Sequence, residues 1–285
     1  MSSGSIQAPR LNGSVPGIPG AVNREVETLP TRLPGGSSIG PLTEAMPNAL
    51  LFEVPGVARY LIRDGTSIDV AIAPAADRSA AQLFLDGSAR GTLIHQRGEL
   101  ALAAATVLSP DFRCVAICGP SAFGKSTLAA ALCRRGWRLI ADDITRITWN
   151  GVISIAWPGN AAVKLWRDAC AMLGWHDCDR LSRVRNGLEK FHVPVPPAPG
   201  PAALTAIVRL RMDIEPGLVA LPSAACERLL REHTFRPGQI EPLGRGSDHA
   251  RIVGQVAQGC RPLRLDGSRR CNIHQLADLL SEAMR

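Results

Sequence analysis

Nine residues between a short apolar run and an Ala/Leu-rich stretch constrain this chain's fold more than any other feature. They read Gly119-Pro120-Ser121-Ala122-Phe123-Gly124-Lys125-Ser126-Thr127. The preceding run, Cys114-Val115-Ala116-Ile117-Cys118, is short and apolar throughout, as a strand buried on both faces should be. From Lys125 to Arg135 the chain reads as a helix with Leu128, Leu132 and Cys133 on one side, and Gly136 stands where a helix C-cap glycine belongs. Arg138 to Ala141 is a second apolar strand, ending in Asp142-Asp143. Strand, loop, helix and strand in about 30 residues make one βαβ unit, so the expected fold class is α/β, a parallel or mixed sheet flanked by helices.

The loop has the form Gly-x4-Gly-Lys-Ser, and each residue type answers a need of a triphosphate. The glycines let the backbone turn tightly, so that successive N–H groups point at phosphate oxygens. Lys125 reaches the β and γ phosphates, the Ser126 hydroxyl coordinates Mg2+, and the helix offers its positive end to the same anion. ATP and Mg2+ are therefore the expected cofactors, with Gly119 through Thr127 as the nucleotide cradle.

Asp142 and Asp143 fall at the C-terminal end of a strand, the edge of a parallel sheet that carries the ligand. A carboxylate there can hold Mg2+, and a second can take the proton from an attacking hydroxyl. Lysine usage points the same way. Of 32 basic residues only Lys125, Lys164 and Lys190 are lysine, and all three lie in this half of the chain. A compact ammonium on a flexible stem is not interchangeable with a guanidinium fork, so the three surviving lysines are candidates for phosphate chemistry.

The run from Gly119 through Asp143 resembles the HPr kinase/phosphorylase-like P-loop kinases, in which a phosphate loop, an Arg-Gly helix end and an Asp-Asp strand end follow at this spacing. The branch it most resembles is the kinases found with lasso peptide biosynthesis, which phosphorylate a precursor hydroxyl, typically a C-terminal serine. Weaker matches are Phe52 to Gly65, Leu93 to Gly98, Pro158-Gly159, Val163 to Trp166, Glu189-Lys190-Phe191 and His233 to Pro237. The resemblance implies an ATP-dependent serine kinase acting on a peptide or protein. In it Asp142 would activate the acceptor hydroxyl, Asp143 with Ser126 would hold the metal, and Lys190 would offset charge on the transferring phosphoryl group. Lys164 would sit in the same neighbourhood. Two positions depart from the pattern: Ala103 stands where relatives carry histidine, and Ala122 where they prefer glycine. The missing histidine keeps a second reading open, a nucleotide-sensing protein of the same fold without turnover. An HPr-like protein acceptor and a nucleotidyl or polyphosphoryl transferase are further alternatives. Relatives in the HPr branch form hexamers, so a homo-oligomer is compatible with the resemblance.

Composition narrows the rest. The net charge of +7 would suit nucleic acid, but the arginines are scattered and aromatics are only 4%, so no nucleic-acid partner is expected. There is no apolar run of membrane-spanning length and no secretory signal pattern, so the expectation is a cytoplasmic protein with no membrane partner. The eight cysteines contain no Cys-x-x-Cys pair and read as reduced core residues. Residues 1–46, rich in Gly, Pro and Ser, read as a disordered leader. Residues 47–98 read as a small β-rich domain, with strands at Ala58-Ile62 and Gln82-Leu85 and turns at Asp64-Gly65 and Asp86-Gly87. Residues 99–285 read as the kinase domain, with a hairpin around Asn150-Gly151, a helix over Val163–Leu173 and a C-terminal docking helix carrying Ile273, Leu276, Ala277 and Leu280. The five tryptophans are expected to pack the core.

Overall fold

The computed structural model describes residues 11–212, 215–268 and 272–285. A seven-stranded sheet comes first, formed by β1 (Gly13–Ser14), β2 (Val22–Glu25), β3 (Ser37–Gly40), β4 (Thr43–Met46), β5 (Ala49–Val54), β6 (Ala58–Arg63) and β7 (Ser67–Ile72). Its spatial order is β1-β2-β7-β6-β5-β4-β3. Alternation drives it: Leu50, Tyr60, Ile62, Ile68 and Val70 are fully buried on one face, and Phe52 stacks on Tyr60 with centroids 4.6 Å apart. The β6–β7 turn places Asp64 and Gly65 at φ 54° and 64°, as the Asp-Gly dipeptide predicts.

The disordered leader is corrected by this sheet. Residues 1–10 lie outside the described residues, but from Leu11 onward the chain is built into the fold, and four of the seven strands precede residue 47. Leu11, Val15, Ile18 and Ala21 are at most 4% exposed and join the core beneath the sheet. Single apolar residues spaced three or four apart among glycines and prolines anchor the segment, and an average composition hides them.

Helices α1 (Arg78–Phe84) and α2 (Arg90–Gln96) follow, joined without a break by a π-helical turn over Leu85–Ala89. The strand expected at Gln82–Leu85 is thus helical. Asp77 caps α1 by accepting from the Ser79 amide at 2.9 Å. Ala81, Leu85, Ala89 and Leu93 are buried at a spacing of four, which is helical and not strand periodicity.

The rest of the chain builds the second sheet from β8 (Leu100–Leu102), β9 (Ala104–Leu108), β10 (Cys114–Cys118), β11 (Arg138–Ala141), β12 (Thr145–Trp149) and β13 (Ser154–Trp157). Two strands, β14 (Ala162–Trp166) and β15 (Lys190–Pro194), form a separate hairpin, and β16 (Ala202–Arg211), β17 (Gly217–Ala220) and β18 (Arg261–Asp266) complete the main sheet. Helix α3 (Lys125–Cys133) links β10 to β11 and α4 (Arg167–Met172) follows β14. Helices α5 (Ala225–Glu232) and α6 (Gly246–Gly259) come before β18, and α7 (Ile273–Ala283) comes after it. The sheet is mixed: β10 pairs parallel with β16 and β16 with β18, whereas β9 runs antiparallel between β10 and β11. The two strands of the expected βαβ unit are parallel but not neighbours.

Strand β10 separates two cores. Val115 and Ile117 pack with α3, α7 and the β14–β15 hairpin, and Cys114, Ala116 and Cys118 pack with α5 and α6. The seven described cysteines are buried and unpaired, and the C-terminal stripe Ile273, Leu276, Ala277 and Leu280 docks as expected. The helix expected over Val163–Leu173 begins only at Arg167. In β14 the period is two: Val163 and Leu165 are buried on one face, while Lys164 and Trp166 lie on the other, Lys164 largely covered beside Asp143 and Trp166 45% exposed. That tryptophan is not a core residue.

Candidate phosphoryl-transfer site

Strand β10 delivers the loop to the C-terminal edge of the sheet. Gly119, at φ 151°, lies so close to β16 that a Cβ there would sit 2.8 Å from the Leu210 carbonyl oxygen. Gly124, at φ 86°, is the left-handed residue from which α3 starts. Ala122 also adopts a left-handed conformation, φ 65°, where the sequence pattern prefers glycine. Pro120, Ser121 and Ala122 are exposed or nearly so, and Phe123 to Thr127 are half-buried. The opening amides of α3 have no intrahelical acceptor, so the loop ends on free N–H donors.

One side-chain hydrogen bond ties this loop to the end of β11, and others brace the loop and the acidic pair around it. Lys125 Nζ donates to the Gly119 and Pro120 carbonyls, each at 2.8 Å. Ser126 Oγ donates to Asp142 Oδ1 at 2.8 Å, and the Lys164 backbone amide donates to Asp142 Oδ2 at 2.9 Å. Asp143, at φ 68°, accepts from Lys164 Nζ at 2.5 Å. Of the two acids, Ser126 therefore bonds Asp142, not the Asp143 with which it was expected to share a metal.

The two carboxylates differ electrostatically. Burial, and then the neighbouring Asp143 charge, push Asp142 up to about 6. Burial also works against ionised Asp143, but the Lys164 ammonium outweighs it and holds that carboxyl below its ordinary range. Burial lowers Lys125, although Cys118, Asp143 and Asp142 act in the opposite direction.

The third lysine arrives on the β14–β15 hairpin. The cross-strand partners Lys164↔His192 and Trp166↔Lys190 lie on the hairpin's outward face, because Val163, Leu165, Phe191 and Val193 fill its core face. Lys190 Nζ stands 5.7 Å from the Trp166 ring centroid, and its charge reaches both Asp143 and Lys125. All three lysines thus gather at one acidic pair, brought from α3, β14 and β15. Two residues of the site were not expected there: Asp86, read as part of a turn but found in the π-helical segment, and Trp166, expected in the core. The Asp86 charge reaches Lys164 and His192, both far along the chain.

At Ala103 the backbone N–H donates to the His233 carbonyl at 2.8 Å. The His233 ring is buried near the loop lysine; burial lowers its pKa, and Arg209 and Lys125 lower it further against Glu232. The site thus has a histidine at its margin even though position 103 has none.

For a divalent metal, the donors near the loop are one hydroxyl and two carboxylates, all hard oxygen ligands. They suit Mg2+, which takes few protein ligands and completes its shell with water and phosphate oxygens. Among the described residues no cluster of three His, Cys, Asp or Glu forms a separate metal centre. No helix among them is long and apolar enough to cross a membrane.

Comparison with protein-family models gives no match, and no curated protein sequence matches the chain. Among solved structures, the HPr(Ser) kinase/phosphatase from Coxiella burnetii is similar at 14% identity, covering 65% of this chain and 95% of that one, with a TM-score of 0.33. A likeness of that size leaves the functional reading to the geometry of the site.

Proposed function

We propose that the protein is an ATP-dependent kinase that transfers a phosphoryl group to the hydroxyl of a serine on a peptide or protein. One observation carries this reading: a Gly-x4-Gly-Lys-Ser loop and an acidic pair are joined by the Ser126–Asp142 hydrogen bond, and all three lysines of the chain surround them. The loop amides and Lys125 hold the triphosphate. Ser126 and Asp143 would hold Mg2+, which when bound offsets phosphate charge. Asp142 is the general base, because a carboxyl raised to about 6 accepts a proton near neutrality better than an ordinary aspartate. Asp143 stays ionised and fixes Lys164, while Lys164 and Lys190 present positive charge where the transferring oxygens gain negative charge. The resemblance to lasso peptide kinases favours a precursor peptide with a terminal serine as acceptor.

The test is to incubate the protein with ATP, Mg2+ and a serine-ended precursor peptide, and to weigh the peptide. A gain of one phosphate supports the kinase. ATP binding without any gain favours the nucleotide-sensing alternative, and a nucleotidyl-sized increment would replace the proposed reaction.

A further inference from the structure

Arg90 opens α2, is only 4% exposed, and its Nε and Nη2 are both buried without a partner. These two nitrogens form one edge of the guanidinium, the edge whose parallel N–H bonds match the two oxygens of a carboxylate or phosphate. A neighbouring arginine shows the same edge in use. Arg146 Nε and Nη2 donate to Glu99 Oε2 and Oε1 at 2.6 and 2.8 Å, and its Nη1 donates to the Gly17 carbonyl at 2.7 Å. Burying a guanidinium unpaired is costly, so an arginine kept inside the protein normally has its oxyanion.

The surroundings place Arg90 beside the proposed site and pack closely around it. Gly159 separates it from the end of β11: a Cβ on Gly159 would be 3.2 Å from the Ala141 Cβ and 3.4 Å from Arg90 Nη1. Ala141 immediately precedes Asp142. On the other side Gly17, at φ 70°, approaches so closely that a Cβ would lie 3.4 Å from Arg90 Nη2 and 2.2 Å from the Pro158 carbonyl oxygen. At both glycines the backbone packs directly against the guanidinium, so an oxyanion reaches the free edge by displacing this packing. The charge of Asp86 reaches Arg90 as well as Lys164, which ties the arginine to the acidic pair's surroundings, and Arg146 adds a like charge. Asp86 is shared, since its Oδ2 also accepts from Asn160 Nδ2 at 3.3 Å.

We infer that Arg90 is the anchor for an oxyanion on the acceptor, a carboxylate or phosphate group carried near the hydroxyl that is phosphorylated. The inference rests on the kinase reading for the word acceptor, but the anion site stands on Arg90 alone. The site selects substrates: an acceptor with a negative group close to its serine engages both the fork and the base, and a neutral one engages only the base.

The test reads the Arg90 side chain directly. In the full-length protein the Arg90 Nε–H resonance is assigned through bonds, and the chain is titrated separately with N-acetylserine, N-acetylserinamide and inorganic phosphate. A saturable shift of that resonance with N-acetylserine or phosphate, and none with the amide, is expected. The tighter of the two anions names the chemical source. A resonance unmoved by both anions up to about 50 mM, a concentration that detects even weak sites, overturns the inference. Arg90→Lys, which keeps charge but loses the fork, is expected to weaken the preferred anion about tenfold while leaving ATP affinity unchanged. Unchanged anion affinity in a folded Lys variant is a second way to overturn it. Failure of the peptide phosphorylation assay alongside a clear Arg90 shift would reject the kinase and keep the anion site.

Discussion

Ser126 Oγ donates to Asp142 Oδ1 across 2.8 Å, joining the helix that starts at the phosphate loop to a strand that does not pair with the loop's own strand. The second oxygen of Asp142 is fixed by the Lys164 amide, so three elements converge on one carboxylate. A group held this way has little rotational freedom left to lose, which is the preorganisation that proton transfer requires.

Asp142→Asn is expected to retain ATP affinity within about threefold and to lower turnover by about 10^2-fold or more, the usual range for removing a general base. Calorimetric titration with ATP and single-turnover phosphoryl transfer separate the two effects. Turnover of the Asn variant equal to the parent would remove Asp142 from the base role and shift attention to the residues around Lys164.

The pH dependence follows from the same residue. With Asp142 raised to about 6, the active base form grows tenfold per pH unit below that value and saturates above it. Turnover should therefore climb from about pH 5 to about 6.5 and then level, at constant ATP affinity. Stability runs the other way. The folded chain keeps this proton to about pH 6, whereas the unfolded chain releases it near the ordinary 3.8, so the Asp142 contribution to stability is lost as pH rises through that window. Comparing the denaturation midpoints of the parent and Asp142→Asn at about pH 4 and about pH 7 isolates this contribution. A midpoint difference that does not change between the two pH values would contradict it.

How much of this was legible in the sequence depends on chain distance. The loop, α3, Gly136 and the end of β11 are contiguous, and their signals are local: an apolar strand, a helix stripe, a positive-φ glycine and two acids. Placing β9 between β10 and β11 needed information about a strand that precedes both. The hairpin was harder still, because β14 and β15 are separated by α4 and a long loop, and β14 alone is too short for its period to be distinguished from a helix start. Lys164 and Lys190 were readable through the rarity of lysine and their places in the weaker matched segments, whereas Asp86 was legible only as part of a turn and nothing local marks Arg90. The buried N-terminal residues Leu11, Val15 and Ile18 failed for a different reason, since the glycines and prolines around them dilute the apolar pattern without removing the anchors.

Lys164 joins two functions, and a substitution separates them. Lys164→Met removes the Nζ contact to Asp143 and leaves the backbone amide on Asp142 intact. Asp143 is 44% exposed and can rehydrate, so the stability change should stay near ~1 kcal/mol or less. Turnover should fall at least about tenfold, because positive charge beside the transferring group is lost. A thermal melt and single-turnover kinetics on one preparation test both statements, and a large stability loss with normal turnover would make Lys164 a structural residue only.

The loop glycines are expected to differ sharply from the alanine between them. Gly119→Ala forces a methyl group to within 2.8 Å of the Leu210 carbonyl oxygen at a φ of 151°, so either β16 or the loop must move. A loss of about 2–4 kcal/mol is the expected outcome, together with weakened ATP binding as the loop amides lose alignment. Ala122→Gly acts oppositely. It relieves a left-handed alanine, worth about 1–2 kcal/mol, and gives back about 0.5–1 kcal/mol in chain entropy, so stability should rise by about 0–1.5 kcal/mol. ATP affinity of the glycine variant should equal or exceed that of the parent. Urea denaturation of both variants with and without ATP measures all four quantities. A Gly119→Ala protein as stable as its parent would mean that β10 and β16 do not approach as closely as the fold requires.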